Sequence, residues 1–182
     1  MKNLLSVLFI VLPFFVVSCN DGADNTTNKT TDLKSIIKSN SSISSIQWVD
    51  VSELEVLMAK EPRKVFFYFY RQGCPYCKEM KETTFEDGNI IKTLNQQFYA
   101  VMVDGRSKED IVFRGKTYIN QEKDPAKKSS HDLHKILVDP YQGNYYWPSV
   151  VFLNDKFEKL RSYPGLQKPE QFKRILSNMI KR

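Results

Sequence analysis

Apolar and polar positions divide the chain into three zones. Leu4 to Val17 is almost continuously apolar, broken only by Ser6 and Pro13; the stretch that follows, to about residue 45, is polar; and from Trp48 onward aromatic and β-branched residues dominate. A folded domain is therefore expected from about residue 46 to 182. Within it, Leu54, Leu57 and Met58 fall at helical spacing after Ser52-Glu53-Leu54-Glu55, which has the form of a capping box, and Pro62 stops the run. Val65 to Tyr70, VFFYFY, is an unbroken apolar and aromatic run too short for a helix and typical of a strand buried on both faces.

Gly73 to Lys81 is polar enough on one side to begin a helix, with Pro75 in the first turn, where its missing N–H is no loss. Phe98 to Val103 and Ser149 to Leu153 are two more buried-strand candidates. Asn154-Asp155 then predicts a turn and Lys156 to Arg161 an alternating edge strand. Phe172, Ile175, Leu176 and Met179 mark a closing amphipathic helix over Pro169 to Ile180. The connection from Asp104 to Trp147 is too long for a bare loop. A hairpin is expected over Ile111 to Ile119 around Arg114-Gly115, and a helix over His131 to Val138.

The first two zones read as an address and a tether. Lys2, the apolar stretch and the small Ser18 have a signal-peptide layout, and about 14 apolar residues fall short of the roughly 20 that a spanning helix needs. Val16-Val17-Ser18-Cys19 resembles the lipobox of bacterial lipoproteins, which implies lipidation of Cys19 as the first mature residue; an ordinary secretory signal with a chance cysteine is the alternative. Residues 19–45, rich in Asn, Ser, Thr and Asp, cannot bury enough apolar surface to order themselves and are expected to act as a flexible tether. Three sequons there, at Asn25, Asn28 and Asn40, read as linker composition. The location implied is a bacterial cell envelope, lipid-anchored and periplasm-facing, where disulfides persist.

Composition narrows the classes. The 27 Lys plus Arg exceed the 21 Asp plus Glu by 6, but the basic residues are scattered without an Arg-rich arm, so nucleic acid is not an expected partner. Three cysteines are too few for a disulfide scaffold, and only Cys74 and Cys77 stand at a chemically informative spacing. At the start of a helix the first thiol meets the positive end of the dipole and unpaired backbone N–H groups, which favour thiolate. Cys74 is therefore the expected nucleophile, and Cys77, one turn later, the thiol that resolves a mixed disulfide. A structural disulfide is one alternative, although so short a loop constrains the unfolded chain little. Zinc is another; it would need His131 and His134, about 50 positions away and off the usual finger spacing. Both histidines are expected instead to face solvent on a short helix. No metal or cofactor is called for.

From Trp48 to Ile180 the chain resembles the thioredoxin superfamily. The resemblance rests on the buried strand entering Cys74-Pro75-Tyr76-Cys77, on Lys78 and Met80 after it, and on Trp147-Pro148-Ser149-Val150-Val151-Phe152-Leu153, which is similar to the cis-proline strand of that family. It implies an α/β thioredoxin fold, with a central mixed sheet flanked by helices, an insertion before the cis-proline strand, and Pro148 in cis beside the dithiol. Lys78-Glu79-Met80 with Thr84-Phe85-Glu86-Asp87 looks like the extracytoplasmic, reductase-type branch. Two departures stand out. The buried Asp that assists proton transfer in thioredoxin, six residues before the first cysteine, is replaced by Tyr68, which leaves the task to another group such as Glu79 or water. The dipeptide Pro75-Tyr76 is that of glutaredoxins, without a basis for a glutathione site.

The function expected is thus a membrane-tethered oxidoreductase that reduces disulfides of extracytoplasmic proteins with electrons from an unidentified donor. A disulfide-forming oxidase and a non-catalytic binding or chaperone-like lipoprotein are the alternatives. Pro75, Tyr76, Trp147 and Pro148 are the candidate substrate-binding residues. Trp147 either packs against Tyr145 and Tyr146 or forms an apolar shelf for an extended polypeptide. The insertion is expected to approach the dithiol end of the sheet, carrying Phe113, Tyr118, Tyr141, Tyr145 and Tyr146 among many lysines.

Overall fold

The computed structural model describes residues 44–182; the leader, the lipobox with Cys19 and nearly all of the tether lie outside the described residues. The order of elements is β1 (Trp48–Val49), α1 (Val51–Lys60), β2 (Lys64–Tyr70), α2 (Pro75–Glu82), α3 (Gly88–Gln97), β3 (Phe98–Asp104), β4 (Ile111–Phe113), β5 (Lys116–Tyr118), α4 (Asp132–Leu137), β6 (Ser149–Leu153), β7 (Lys159–Pro164) and α5 (Pro169–Ile180). Five strands form one sheet in the order β1-β3-β2-β6-β7. The first three are parallel, and β6 and β7 run antiparallel to their neighbours. This is the expected α/β architecture with a mixed central sheet.

The apolar run of β2 works as its pattern predicts. Because side chains alternate across a strand, Phe66 and Tyr68 enter one core layer with Met80, Ile90, Phe98, Phe152 and Phe172, while Val65, Phe67 and Phe69 enter the other with Leu54, Val101, Phe113 and Leu133. The first layer is closed by α2, α3 and α5, the second by α1 and the insertion. All five central side chains of β2 are buried.

Several local readings need correction. The cap of α1 is Asp50, whose carboxylate accepts the Ser52 backbone N–H at 2.8 Å and its hydroxyl at 2.6 Å, so Ser52 is not the capping residue itself. The edge strand starts at Lys159, three residues later than expected. The Asn154 side-chain carbonyl accepts the N–H groups of Lys156 and Glu158, both at 2.9 Å, and Phe157 has φ 61°, so the turn consumes the intervening residues. The helix α3 was not anticipated. Asp87 caps it by accepting from Asn89 and Ile90, and Lys173 of α5 binds the same carboxylate at 2.8 Å.

The insertion holds structure of its own, as its length demanded. Arg114 and Gly115, at φ 54° and 65°, make the two-residue turn between β4 and β5, the positive-φ pair that matches strand twist. Buried Asn120 then donates its amide to the carbonyls of Arg106, Ser107 and Ser129 at 3.3, 2.9 and 3.3 Å, tying the ends of the following loop together. α4 follows where a helix was expected, but His131, its N-cap, and His134, within it, are both buried, not solvent-facing.

Candidate active site

At the C-terminal end of β2 the chain turns through Arg71-Gln72-Gly73, with Gly73 at φ 65°, into α2. Cys74 is the N-cap of that helix and Pro75 its first residue. The Cys74 sulfur accepts the Cys77 backbone N–H at 3.2 Å, which satisfies one of the donors a helix start leaves open. Cys74 and Cys77 are joined as a disulfide with Cα atoms 5.2 Å apart, and both are buried. The same N–H and helix end would stabilise a thiolate on Cys74 after reduction.

Tyr68 stands where a buried acid was absent from the sequence, and its hydroxyl donates to the Cys77 carbonyl at 2.9 Å. Burial, with Tyr70 adding repulsion, pushes its ionisation well above the usual phenol range, so it remains a neutral donor anchoring the first turn of α2. Glu79 is exposed on α2 and is not among the residues that line the cavity beside the disulfide. That cavity, of about 500 Å³, opens between Tyr70, Arg71, Gly73, Cys74, Lys78 and Lys81. Its charged lining is cationic throughout. Lys81 lies over the Tyr70 ring at 3.9 Å, and Lys78 is 3.7 Å from Glu82.

Antiparallel register brings the second part of the site to the same end of the sheet. Phe69 pairs with Ser149, so Pro148 lies one step beyond, beside the end of β2. The Trp147–Pro148 bond is cis, as the resemblance implied. The Pro148 carbonyl accepts from Gly165 at 2.7 Å, and Ser149 Oγ donates to Tyr146 at 2.6 Å.

Trp147 packs, but not where it was expected to. Its ring stacks on His134 of α4, with centroids 4.3 Å apart and planes at 11°, while Tyr146 is exposed and meets Tyr141 instead. Gly105 makes the stack possible: a Cβ there would overlap the Trp147 ring. The Gly105 backbone also bridges the two parts of the site, donating to Tyr70 and accepting from His131, both at 2.8 Å. The Arg106 guanidinium lies 5.8 Å from the Trp147 ring centre. Burial pushes His134 down to about 4, with His131, Lys135 and Arg106 adding repulsion, and neither of its ring nitrogens has a hydrogen-bond partner among the described residues.

Of the sequence-derived candidates, Cys74, Cys77 and Pro75 line the cavity, Pro148 immediately precedes β6 at the same end of the sheet without lining it, and Tyr76 projects into solvent at 60% exposure. His131 accepts the Leu133 N–H at 3.1 Å and its other nitrogen meets the Glu109 carbonyl at 3.1 Å. Among the described residues no group of three His, Cys, Asp or Glu side chains is arranged to hold a metal ion. Sequence reasoning missed Gly105, Arg71 and Arg106. It did register the His131 and His134 pair, which nevertheless carries no sign of what it packs against.

The family model for a thioredoxin-like domain matches residues 52–180. The chain belongs to the thioredoxin-like family. With the Cys74–Cys77 disulfide at the head of α2, this makes it a thiol–disulfide oxidoreductase. A search of curated proteins finds no match. Among solved structures, the chain is similar to a DsbH oxidoreductase, with 12% identity, a TM-score of 0.52, and coverage of 87% of this chain and 95% of that one. It is also similar to a thioredoxin from Thermus thermophilus, with 20% identity, a TM-score of 0.51, and coverage of 74% and 86%. At such identities the likeness is one of fold.

Proposed function

We propose that this thioredoxin-like protein is tethered to a membrane of the bacterial envelope through lipid on Cys19, and that it reduces disulfides of extracytoplasmic proteins. The observation that carries the chemistry is the position of the Cys74 sulfur, at the N-cap of α2, within reach of the Cys77 N–H and beside a cavity without carboxylates. In the dithiol form, the Cys74 thiolate attacks one sulfur of a client disulfide. The client S–S bond breaks, and its electron pair leaves on the other sulfur, which takes a proton. The Cys77 thiolate then attacks Cys74, breaks the mixed disulfide and releases the second client thiol. Two electrons and two protons pass to the client, and the Cys74–Cys77 disulfide results. A dithiol reductant restores the starting form by the same exchange in reverse.

Cys74→Ser is expected to abolish reduction of an accessible protein disulfide, whereas Cys77→Ser should trap a mixed disulfide visible as a mass adduct. Equal inactivity of both variants without a trapped species would refute this division of labour. The tether is supported by the lipobox resemblance and the polar composition of residues 19–45. Cys19→Ser should move the protein from the membrane to the soluble fraction; unchanged membrane association would point to a retained anchor.

A disulfide-forming role is the second reading, favoured by one observation. Arg71, Lys78 and Lys81 around Cys74 stabilise a thiolate, hence the reduced form, and stabilising the reduced form makes a stronger oxidant. The reduction potential decides between them. A value near about −270 mV supports reduction, and one near about −120 mV assigns the chain to oxidation.

A further inference from the structure

The turn that carries the chain from β2 to Cys74 separates two hollows. One is the cavity beside the disulfide. The other, of about 590 Å³, is bounded on its far side by the insertion, through Asp104, Arg106, Lys108, Lys127 and Lys128; Tyr70 and Gln72 line both. Basic residues dominate the two together, but not all are free to act. Lys78 faces Glu82, Lys127 lies 3.2 Å from Glu122, and the Lys108 ammonium donates to the Glu122 and Lys127 carbonyls and to Ser129.

Arg71, Lys81, Arg106 and Lys128 remain, none of them in an ion pair among the described residues. The Nε atoms of Arg71 and Arg106 are buried without a hydrogen-bond partner among the described residues. Two acids share the second hollow. Asp104 accepts the backbone N–H of Arg106 at 2.9 Å, and Glu109 is exposed at its margin. Burial and the proximity of Arg71 both weaken the hold of Arg106 on its charge, and Asp104 only partly offsets them. An arriving carboxylate would relieve this repulsion and pair with guanidinium groups that no carboxylate among the described residues neutralises.

We propose that the clients of this oxidoreductase are acidic around their reactive cysteine, and that Arg71 and Arg106, flanked by Lys81 and Lys128, receive the client carboxylates. The inference rests on the reading of Cys74 as the attacking thiol, because that fixes where the client's cysteine must sit. A polypeptide bound there in extended form advances roughly 3.3 Å per residue, so side chains one to four positions from its cysteine fall across the two hollows. A lone small anion would occupy one point of this surface, whereas the cations flank the path on both sides of the 70–73 turn.

The test uses three peptides with the same disulfide-closed ring and flanks of Asp and Glu, of Ser and Gly, or of Lys and Arg. Binding to the oxidised protein is read by fluorescence anisotropy, and reduction by the pre-reduced dithiol form is read as the second-order rate constant of a single turnover. In dilute buffer the acidic peptide should bind and react roughly tenfold better than the neutral one and the basic peptide correspondingly worse, with the spread contracting in about 0.5 M salt. Arg71→Gln with Arg106→Gln should compress the acidic-to-basic ratio to within about twofold, and Lys128→Glu at the exposed rim should compress it in part. The wild-type comparison requires no variant to fold.

Equal affinities and rates for all three peptides in wild type would overturn the inference. Should no peptide be reduced while the acidic one still binds best, the assignment of Cys74 fails and that of the clients stands. Cation-dependent adsorption to vesicles containing phosphatidylglycerol, without discrimination among peptides, would give this face to a membrane surface and overturn the proposal.

Discussion

The two faces of the central sheet each hold one part of the active site, and they do so by different means. On the face closed by α2, α3 and α5, Phe66 lies within aromatic contact of Trp48, Phe85, Phe152 and Phe172, and Tyr68 ties this layer to the disulfide turn through the Cys77 carbonyl. On the face closed by α1 and the insertion, the segment Trp147-Pro148 is held by a histidine in a six-residue helix and by the missing side chain of Gly105. The dithiol is thus anchored by a regular apolar layer, and the cis-proline segment by a polar aromatic stacked in a decoration. A layer of continuous apolar contacts is insensitive to pH, whereas a buried neutral histidine is not.

The largest test of this asymmetry is a pair of truncations. Phe66→Ala removes a ring with four aromatic neighbours and should cost about 4 kcal/mol in a denaturant melt. Phe69→Ala, which loses contacts with Phe67 and the edge of His134, should cost measurably less. Equal losses would remove the distinction between the layers.

The next effect is one of pH. His134 is neutral when folded and pushed down to about 4, against about 6.5 in the unfolded chain, so the unfolded state binds the extra proton between these values. Stability is fully present above about pH 6.5 and should fall by about 3 kcal/mol as pH drops towards 4. His131, also depressed by burial, acts in the same direction. Asp50, Asp87 and Asp132, all held below the usual carboxylate range, lose their contributions only at pH lower than this window. His134→Phe keeps a ring against Trp147 and should flatten the slope in denaturant melts taken from pH 7 to 4; an unchanged slope would locate the sensitivity elsewhere.

Gly105→Ala should cost about 2 kcal/mol, because the added methyl overlaps the Trp147 ring, and it should alter tryptophan fluorescence. Combining it with Trp147→Ala, which vacates the space, should recover part of the loss relative to Trp147→Ala alone. Tyr68→Phe is the smallest change, about 1 kcal/mol for one hydrogen bond, with the fold retained. Because that bond seats the turn carrying Cys77, the reduction potential of the pair is the sharper readout.

Much of this site can be read along the chain because its elements are local. Cys74 precedes Pro75 at a helix start, and VFFYFY before it can only be a strand with both faces covered. The cysteine spacing sets its own geometry within one helical turn. Even Asp87 followed by Ile90, Ile91 and Leu94 held the signal for α3, with the cap and the apolar spacing both present. Tertiary contacts decided what local pattern leaves open. His131 and His134 carry polar rings, yet the insertion folds them under Gly105 and Trp147, which are distant in sequence, and no periodicity encodes that meeting. Arg71 and Arg106 likewise stand 35 positions apart among scattered basic residues, and they become neighbours only when the parallel pairing of β2 with β3 brings the ends of both strands together. Helix starts and strand faces follow from interactions a few residues long, which the order of side chains specifies directly. Stacking partners and charge clusters depend on which strand ends the sheet aligns, and that is settled only when the whole core forms.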